Sequence, residues 1–219
     1  MKILVSDFDG VIADSLDVFT KAFVYAFKAE KIDIDMATMR SMLGKRMQDI
    51  LSQLITDKSY DPEDLINRLK KNINTYLLSP EARAEYKLRD GAKDFLDFLD
   101  REFPVPRIVL SNSTVEYIAA FMSRTGIADR WTRIIGSDSG YERKSLALSS
   151  LAKEFRLEPK DVLFIGDTVF DMQEGIDAGV TRIALAGWHS KELLLSTQPD
   201  FIADSFEELK EIIEKIKNQ

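Results

Sequence analysis

Residues Lys2-Ile3-Leu4-Val5-Ser6 form an apolar run with no helical period, and the run leads directly into Asp7-Phe8-Asp9-Gly10-Val11. So short and apolar a run predicts a strand buried on both faces, as in a parallel sheet. Two carboxylates two residues apart, just past a buried strand, are expensive to keep. Like charges repel, and burying them is costly unless a counter-charge such as a divalent cation neutralises them. Gly10 lets the backbone turn sharply or approach a ligand closely. Val162-Leu163-Phe164-Ile165-Gly166 repeats the pattern far along the chain, and Asp167-Thr168-Val169-Phe170-Asp171 follows it. Two strands ending this way point to one site at the carboxyl edge of a parallel sheet, where open α/β sheets bind ligands.

Between these ends the chain divides in two. Ser15 to Glu30 reads as a helix, with Leu16, Phe19, Phe23 and Phe27 at three- and four-residue steps. Helical signals continue through Met47 to Leu54. Asp61-Pro62 then opens a helix striped by Leu65, Leu69, Ile73 and Tyr76 or Leu77. No strand signal lies between residues 15 and 88. From about Arg89 strands and helices alternate, the mark of a parallel sheet with crossover helices. Arg107 to Leu110, Arg133 to Gly136, Thr181 to Ala186 and Phe201 to Ala203 read as further strands, and Ser113-Thr114-Val115-Glu116 as a capping box.

Composition narrows the chemistry. The 219 residues contain no cysteine and one histidine, which excludes disulfides, thiolate zinc sites, a cysteine nucleophile and multi-histidine metal centres. A serine–histidine triad would need His189, which has no nucleophile-elbow pattern nearby and reads as a surface loop residue. A net charge of −7 argues against a nucleic-acid partner. No apolar run is long enough to cross a membrane, and no signal peptide is visible, so a cytoplasmic enzyme is expected.

The ordered motifs carry a resemblance. Asp7-Phe8-Asp9-Gly10-Val11, Ser111-Asn112, Lys144, and Gly166-Asp167 with Asp171 resemble motifs I to IV of the haloacid dehalogenase-like hydrolases, in order and at family-like spacing over essentially the whole chain. The likeness is greatest to the phosphoglycolate phosphatase and β-phosphoglucomutase branch. It implies a doubly wound α/β core of residues 1–14 and 89–219 with an inserted all-helical cap of residues 15–88. The chain departs from the family at Ser145, where proline commonly follows the motif III lysine, and it carries a second cation, Arg143, beside Lys144.

On this reading Asp7 is the nucleophile, since a carboxylate attacking phosphorus splits a hard hydrolysis into two easier steps. Asp9 is the general acid and base. Asp7 and Asp167 hold Mg2+, and the resemblance implies that Asp9 joins them through its main-chain carbonyl. Asp171 orients Lys144 or a metal-bound water. Ser111 and Asn112 bind phosphate oxygens near a helix amino end, and Lys144 adds a point charge. Arg40 and Lys45, with Arg46 around Gly44, are candidates for contact with the leaving group. The expected activity is Mg-dependent hydrolysis of a small phosphorylated metabolite through an aspartyl-phosphate, in a monomer or homodimer. A sugar phosphomutase of the β-phosphoglucomutase type is the alternative, disfavoured because the cap lacks a histidine. A non-catalytic phosphometabolite-binding module is a third reading, and loss of Asp7 or Asp9 would have been its signature.

Overall fold

The structure, a computed structural model, describes residues 1–44, 47–54 and 61–218. Lys45 and Arg46 lie outside the described residues. The chain divides into two compact units, Met1–Asp14 with Lys87–Gln219, and Ser15–Tyr86.

The first unit is built on a six-stranded, all-parallel sheet: β1 (Ile3–Ser6), β2 (Arg107–Leu110), β3 (Arg133–Ile135), β4 (Val162–Gly166), β5 (Thr181–Leu185) and β6 (Phe201–Ala203). The spatial order is β3-β2-β1-β4-β5-β6. It reverses direction beside β1, and such a reversal opens a crevice past the strand ends. β1 and β4 are buried at every position, which is why their sequences are apolar without alternation. Ser6 aligns with Ile165, and the Asp7 N–H donates to the Ile165 carbonyl at 2.8 Å. The register therefore brings Asp7 and Asp167 out at the same edge.

Helices in this unit follow their caps. Gly91, in the left-handed region at φ 83°, starts the helix Ala92–Glu102. Gly126 and Gly179, also left-handed, stop Val115–Thr125 and Val169–Ala178. Lys144–Glu154 completes the main crossovers, Lys191–Leu195 is a short helix before β6, and Phe206–Lys217 follows β6. One capping assignment is corrected. Thr114, not Ser113, caps Val115–Thr125, its hydroxyl accepting from the Tyr117 N–H at 3.3 Å. Ser113 is one residue too early, and its hydroxyl donates to Asp9 instead.

The second unit is all-helical: α1 (Leu16–Ala29), α2 (Met36–Arg40), α3 (Met47–Leu54), α4 (Pro62–Leu77) and α5 (Pro80–Ala84). α1 packs mainly on α4. Their apolar faces, Val18, Phe19, Ala22, Ala26 and Phe27 on one and Leu65, Leu69, Ile73 and Leu77 on the other, are buried. Asp61 caps α4 and Pro62 sits in its first turn, where a missing N–H costs nothing. The chain rejoins the first unit two residues before Arg89. The Asp14 N–H donates to the Lys87 carbonyl, Leu88 bridges to Ala13, and the Lys87 ammonium pairs with Asp14 at 2.6 Å.

Candidate active site

The crevice past β1 and β4 gathers four of the acidic residues and one lysine. Asp7, Asp9, Asp167, Asp171 and Lys144 are all buried. One carboxylate oxygen from each of Asp7, Asp167 and Asp171 lies within 4.8 Å of the others. The Lys144 ammonium sits 2.7 Å from Asp171 Oδ1 and 3.0 Å from Asp7 Oδ2. Three carboxylates share one buried cation, so negative charge is in excess.

The electrostatics follow. Burial lifts the Asp7 carboxyl from 3.8 to about 7, with Lys144 opposing the rise and Asp171 and Asp9 adding to it. Burial raises Asp167 well above the carboxylate range, helped by Asp171 and Asp7. For Lys144 burial acts downward, but Asp171 and then Asp7 outweigh it and hold the ammonium charged.

Hydrogen bonds separate the carboxylates by role. Both Asp171 oxygens are engaged: Oδ1 accepts from Lys144, and Oδ2 accepts the Thr168 N–H at 3.1 Å and hydroxyl at 2.6 Å. Asp7 Oδ1 accepts the Phe8 N–H at 2.7 Å. Asp167 Oδ2 accepts the Trp188 N–H at 2.7 Å, while Oδ1 is buried with no hydrogen-bond partner. A buried acceptor left unmatched beside a second desolvated carboxylate is what a divalent cation would satisfy. The donor set fits an oxygen-seeking ion such as Mg2+, held by Asp7 and Asp167 with Asp171 behind them. Gly10, at φ 78°, is required here, because a Cβ would overlap Asp167 Oδ2.

Asp9 is held differently. Its Oδ2 accepts from the Ser113 hydroxyl at 2.6 Å and faces the Ser111 hydroxyl at 3.4 Å, and its Oδ1 accepts from the Tyr117 hydroxyl at 3.2 Å. Hydroxyls can donate to a carboxylate or turn to accept from a carboxylic acid, so this surround suits both protonation states. With its side chain so occupied, Asp9 would offer a cation its main-chain carbonyl. Ser111 Oγ also accepts the Ser113 N–H at 3.1 Å, which shapes the turn after β2. Asn112 is exposed at the same turn. Arg40 lies in the helical unit and pairs with Asp17 of α1.

Several residues here carry no sequence signal. Ser113 and Tyr117 hold Asp9. Arg89, buried enough that its pKa is lowered, donates to the carbonyls of Gly10 at 2.5 Å and Ala186 at 2.7 Å, tying the β1 loop to the β5 loop. His189 is not a plain surface residue. Its Nδ1 accepts the Val169 N–H at 3.1 Å, and burial lowers its pKa, so the ring is neutral near pH 7.

Comparison with known proteins agrees with this geometry. Over 108 residues the chain is 28% identical to a phosphoglycolate phosphatase of Vibrio vulnificus, covering 48% of this chain and 47% of that one, so it spans about half the length of that relative. Over 221 residues it is 24% identical to a phosphoglycolate phosphatase of Vibrio parahaemolyticus, covering 97% and 96%. The fold matches a haloacid dehalogenase-like hydrolase from Streptococcus pneumoniae with a TM-score of 0.82 at 21% identity, over 97% of this chain and 98% of that one. The family model for haloacid dehalogenase-like hydrolases matches residues 4–185. Buried acidic strand ends sharing one lysine, a sheet reversing beside them and that match have one reading: the chain belongs to the haloacid dehalogenase-like hydrolase family.

Proposed function

We propose that this protein is a Mg-dependent phosphatase of small phosphorylated metabolites, working through an aspartyl-phosphate on Asp7, with phosphoglycolate among the substrates to test first. The observation that carries it is the buried Asp7–Lys144–Asp171 cluster beside the unmatched Asp167 oxygen.

An Asp7 carboxylate oxygen attacks phosphorus and the ester P–O bond breaks. Asp9 gives its proton to the departing alkoxide. Asp9 then takes a proton from water, which attacks the phospho-aspartate and frees phosphate and the Asp7 carboxylate. Lys144, Ser111 and Asn112 bind phosphate oxygens, and Lys144 opposes the rise that burial imposes on the Asp7 carboxyl. Asp7, Asp167 and the Asp9 carbonyl would hold a divalent cation, whose positive charge would stabilise the transferring phosphoryl group. The helical unit is proposed to act as the cap that excludes water and reads the leaving group. Phosphate release across a panel of phosphometabolites, with Mg2+ and then EDTA, tests the reading. No Mg-dependent release from any member rejects it.

Metal binding has a readout without turnover. Asp7 holds its proton more tightly folded than unfolded, so between about 4 and about 7 folding takes up protons. Metal-free stability therefore falls as pH rises through that window, and above it the full cost of the ionised cluster is present. Mg2+ at a hundredfold excess over its Kd should restore roughly 3 kcal/mol at pH 8, or about 5–10 °C in Tm. The gain should shrink at pH 5.5, where protons compete for the same oxygens. A Mg-induced shift equal at both pH values, or none at pH 8, counts against this site.

Specificity is proposed to lie in Arg40 and Lys45, cations suited to a second anionic group on the leaving group. Arg40→Ala should lower kcat/KM about 30-fold or more for a substrate carrying a carboxylate and leave a neutral aryl phosphate nearly unchanged. Equal effects on both substrates reject Arg40 as a specificity residue.

A further inference from the structure

Two carboxylates three residues apart on one face of Val169–Ala178 grip neighbouring residues at the start of Lys144–Glu154. Asp171 holds the Lys144 ammonium, and Glu174 Oε2 accepts the Ser145 N–H at 2.8 Å. Glu174 is 9% exposed. Its Oε1 accepts from Arg143 Nε at 3.1 Å and Nη2 at 3.0 Å, and Arg143 also pairs with Asp177.

The amino end of Lys144–Glu154 needs such a partner. Its capping residue is Arg143, whose side chain makes no capping hydrogen bond. First-turn N–H groups have no partner within a helix and carry the positive end of its dipole. Glu174 satisfies one from a neighbouring helix and balances its own buried charge with Arg143. This accounts for both departures noted in the sequence. Proline at position 145 would have no N–H to give Glu174. Arg143, committed to Glu174 and Asp177, does not compete with Lys144 for Asp7.

We infer that Glu174 is a positioning residue: by clamping the Ser145 N–H it fixes the start of the helix Lys144–Glu154, and so the reach of Lys144 to Asp7 and Asp171. The lysine stem is four carbons long and flexible, so where its ammonium sits depends on how firmly its Cα is held. The inference concerns the site proposed above, but its test does not require turnover.

The test is competitive lysine acylation of the full-length protein, read by mass spectrometry, with hydrogen exchange alongside. In the wild type Lys144, its side chain 6% exposed, should label far more slowly than exposed Lys153 on the same helix. Glu174→Ala should raise Lys144 labelling relative to Lys153 roughly tenfold or more, with faster exchange confined to residues 142–148. Glu174→Gln, whose amide oxygen can still accept the Ser145 N–H, should keep most of the protection. If the alanine variant does not fold, Glu174→Met fills the space without an acceptor and carries the same expectation. Unchanged Lys144 labelling, or faster exchange spread equally through β1 and β4, overturns the inference. In a phosphatase assay kcat should fall about tenfold with KM within about twofold. A wild type without phosphatase activity would reject the proposed function while leaving the labelling result to decide this inference.

Discussion

Asp7→Asn is expected to lower phosphate release from an aryl phosphate at least about 10⁴-fold, because it removes the proposed attacking oxygen and no neighbouring group replaces it. The substitution separates activity from stability in an unusual direction. Asp7 is ionised in the fold only against the cost of burial, which holds its carboxyl near 7. An amide removes one charge from an overcrowded cluster and still accepts the Phe8 N–H through its oxygen. Lys144 keeps Asp171 at 2.7 Å. The metal-free variant should therefore melt at or above the wild-type temperature at pH 8 while being inactive. Retained turnover in a folded Asp7→Asn protein would remove Asp7 from the nucleophile's role.

Lys144→Ala is expected to fail in both respects. It leaves Asp7, Asp167 and Asp171 buried without their shared cation. Breaking a buried pair from one side typically costs about 3–5 kcal/mol, which corresponds to a loss of roughly 6–20 °C in Tm for a chain of this length. Lys144 is charged throughout the working range, so its contribution is present at neutral pH and above. The deficit should be largest at pH 8, smaller at pH 5 as the carboxyls take up protons, and partly offset by Mg2+. Activity should drop about 10²–10³-fold through loss of one preorganised charge. Thermal melts at the two pH values, with and without Mg2+, check this. An unchanged melt at pH 8 would mean the carboxylates draw their counter-charge from elsewhere.

What was legible in the sequence was local and repeated. β1 with Asp7 and β4 with Asp167 announce themselves because strand, turn and carboxylate are contiguous. The helical block was legible because α1 and α4 show their stripes within single helices. Contacts across the fold were not. Tyr117 reaches Asp9 from 108 positions away, and Arg89 reaches Ala186 from 97. A single tyrosine or arginine has no periodicity to betray such a partner. The misplaced cap at Ser113 shows the same limit. Ser113 and Thr114 are both capping residue types, and the sequence does not show that the helix begins at Val115, which leaves Thr114 to cap it and Ser113 to donate to the distant Asp9. Glu174 carries no sequence signal either, since its partners Arg143 and Ser145 lie about thirty positions away at the start of another helix.

The position of β1 in the middle of the sheet bears on how the molecule is made. Both of its neighbours come much later in the chain, β2 at Arg107 and β4 at Val162. At roughly 5–20 residues per second on a ribosome, β1 waits on the order of ten seconds for β4. Until β2 is made Ile3, Leu4 and Val5 have no partner strand, and until β4 is made one edge of this apolar strand stays open, the kind of edge that aggregates. The helical unit intervenes, and its own packing of α1 on α4 is internal to residues 15–86, so it can form while β1 is still waiting. Asp7 and Asp167 meet only when that long-range pairing closes. The candidate site is therefore among the last features the growing chain completes, and a chain interrupted before β4 has Asp7 without Asp167, half of the proposed metal site.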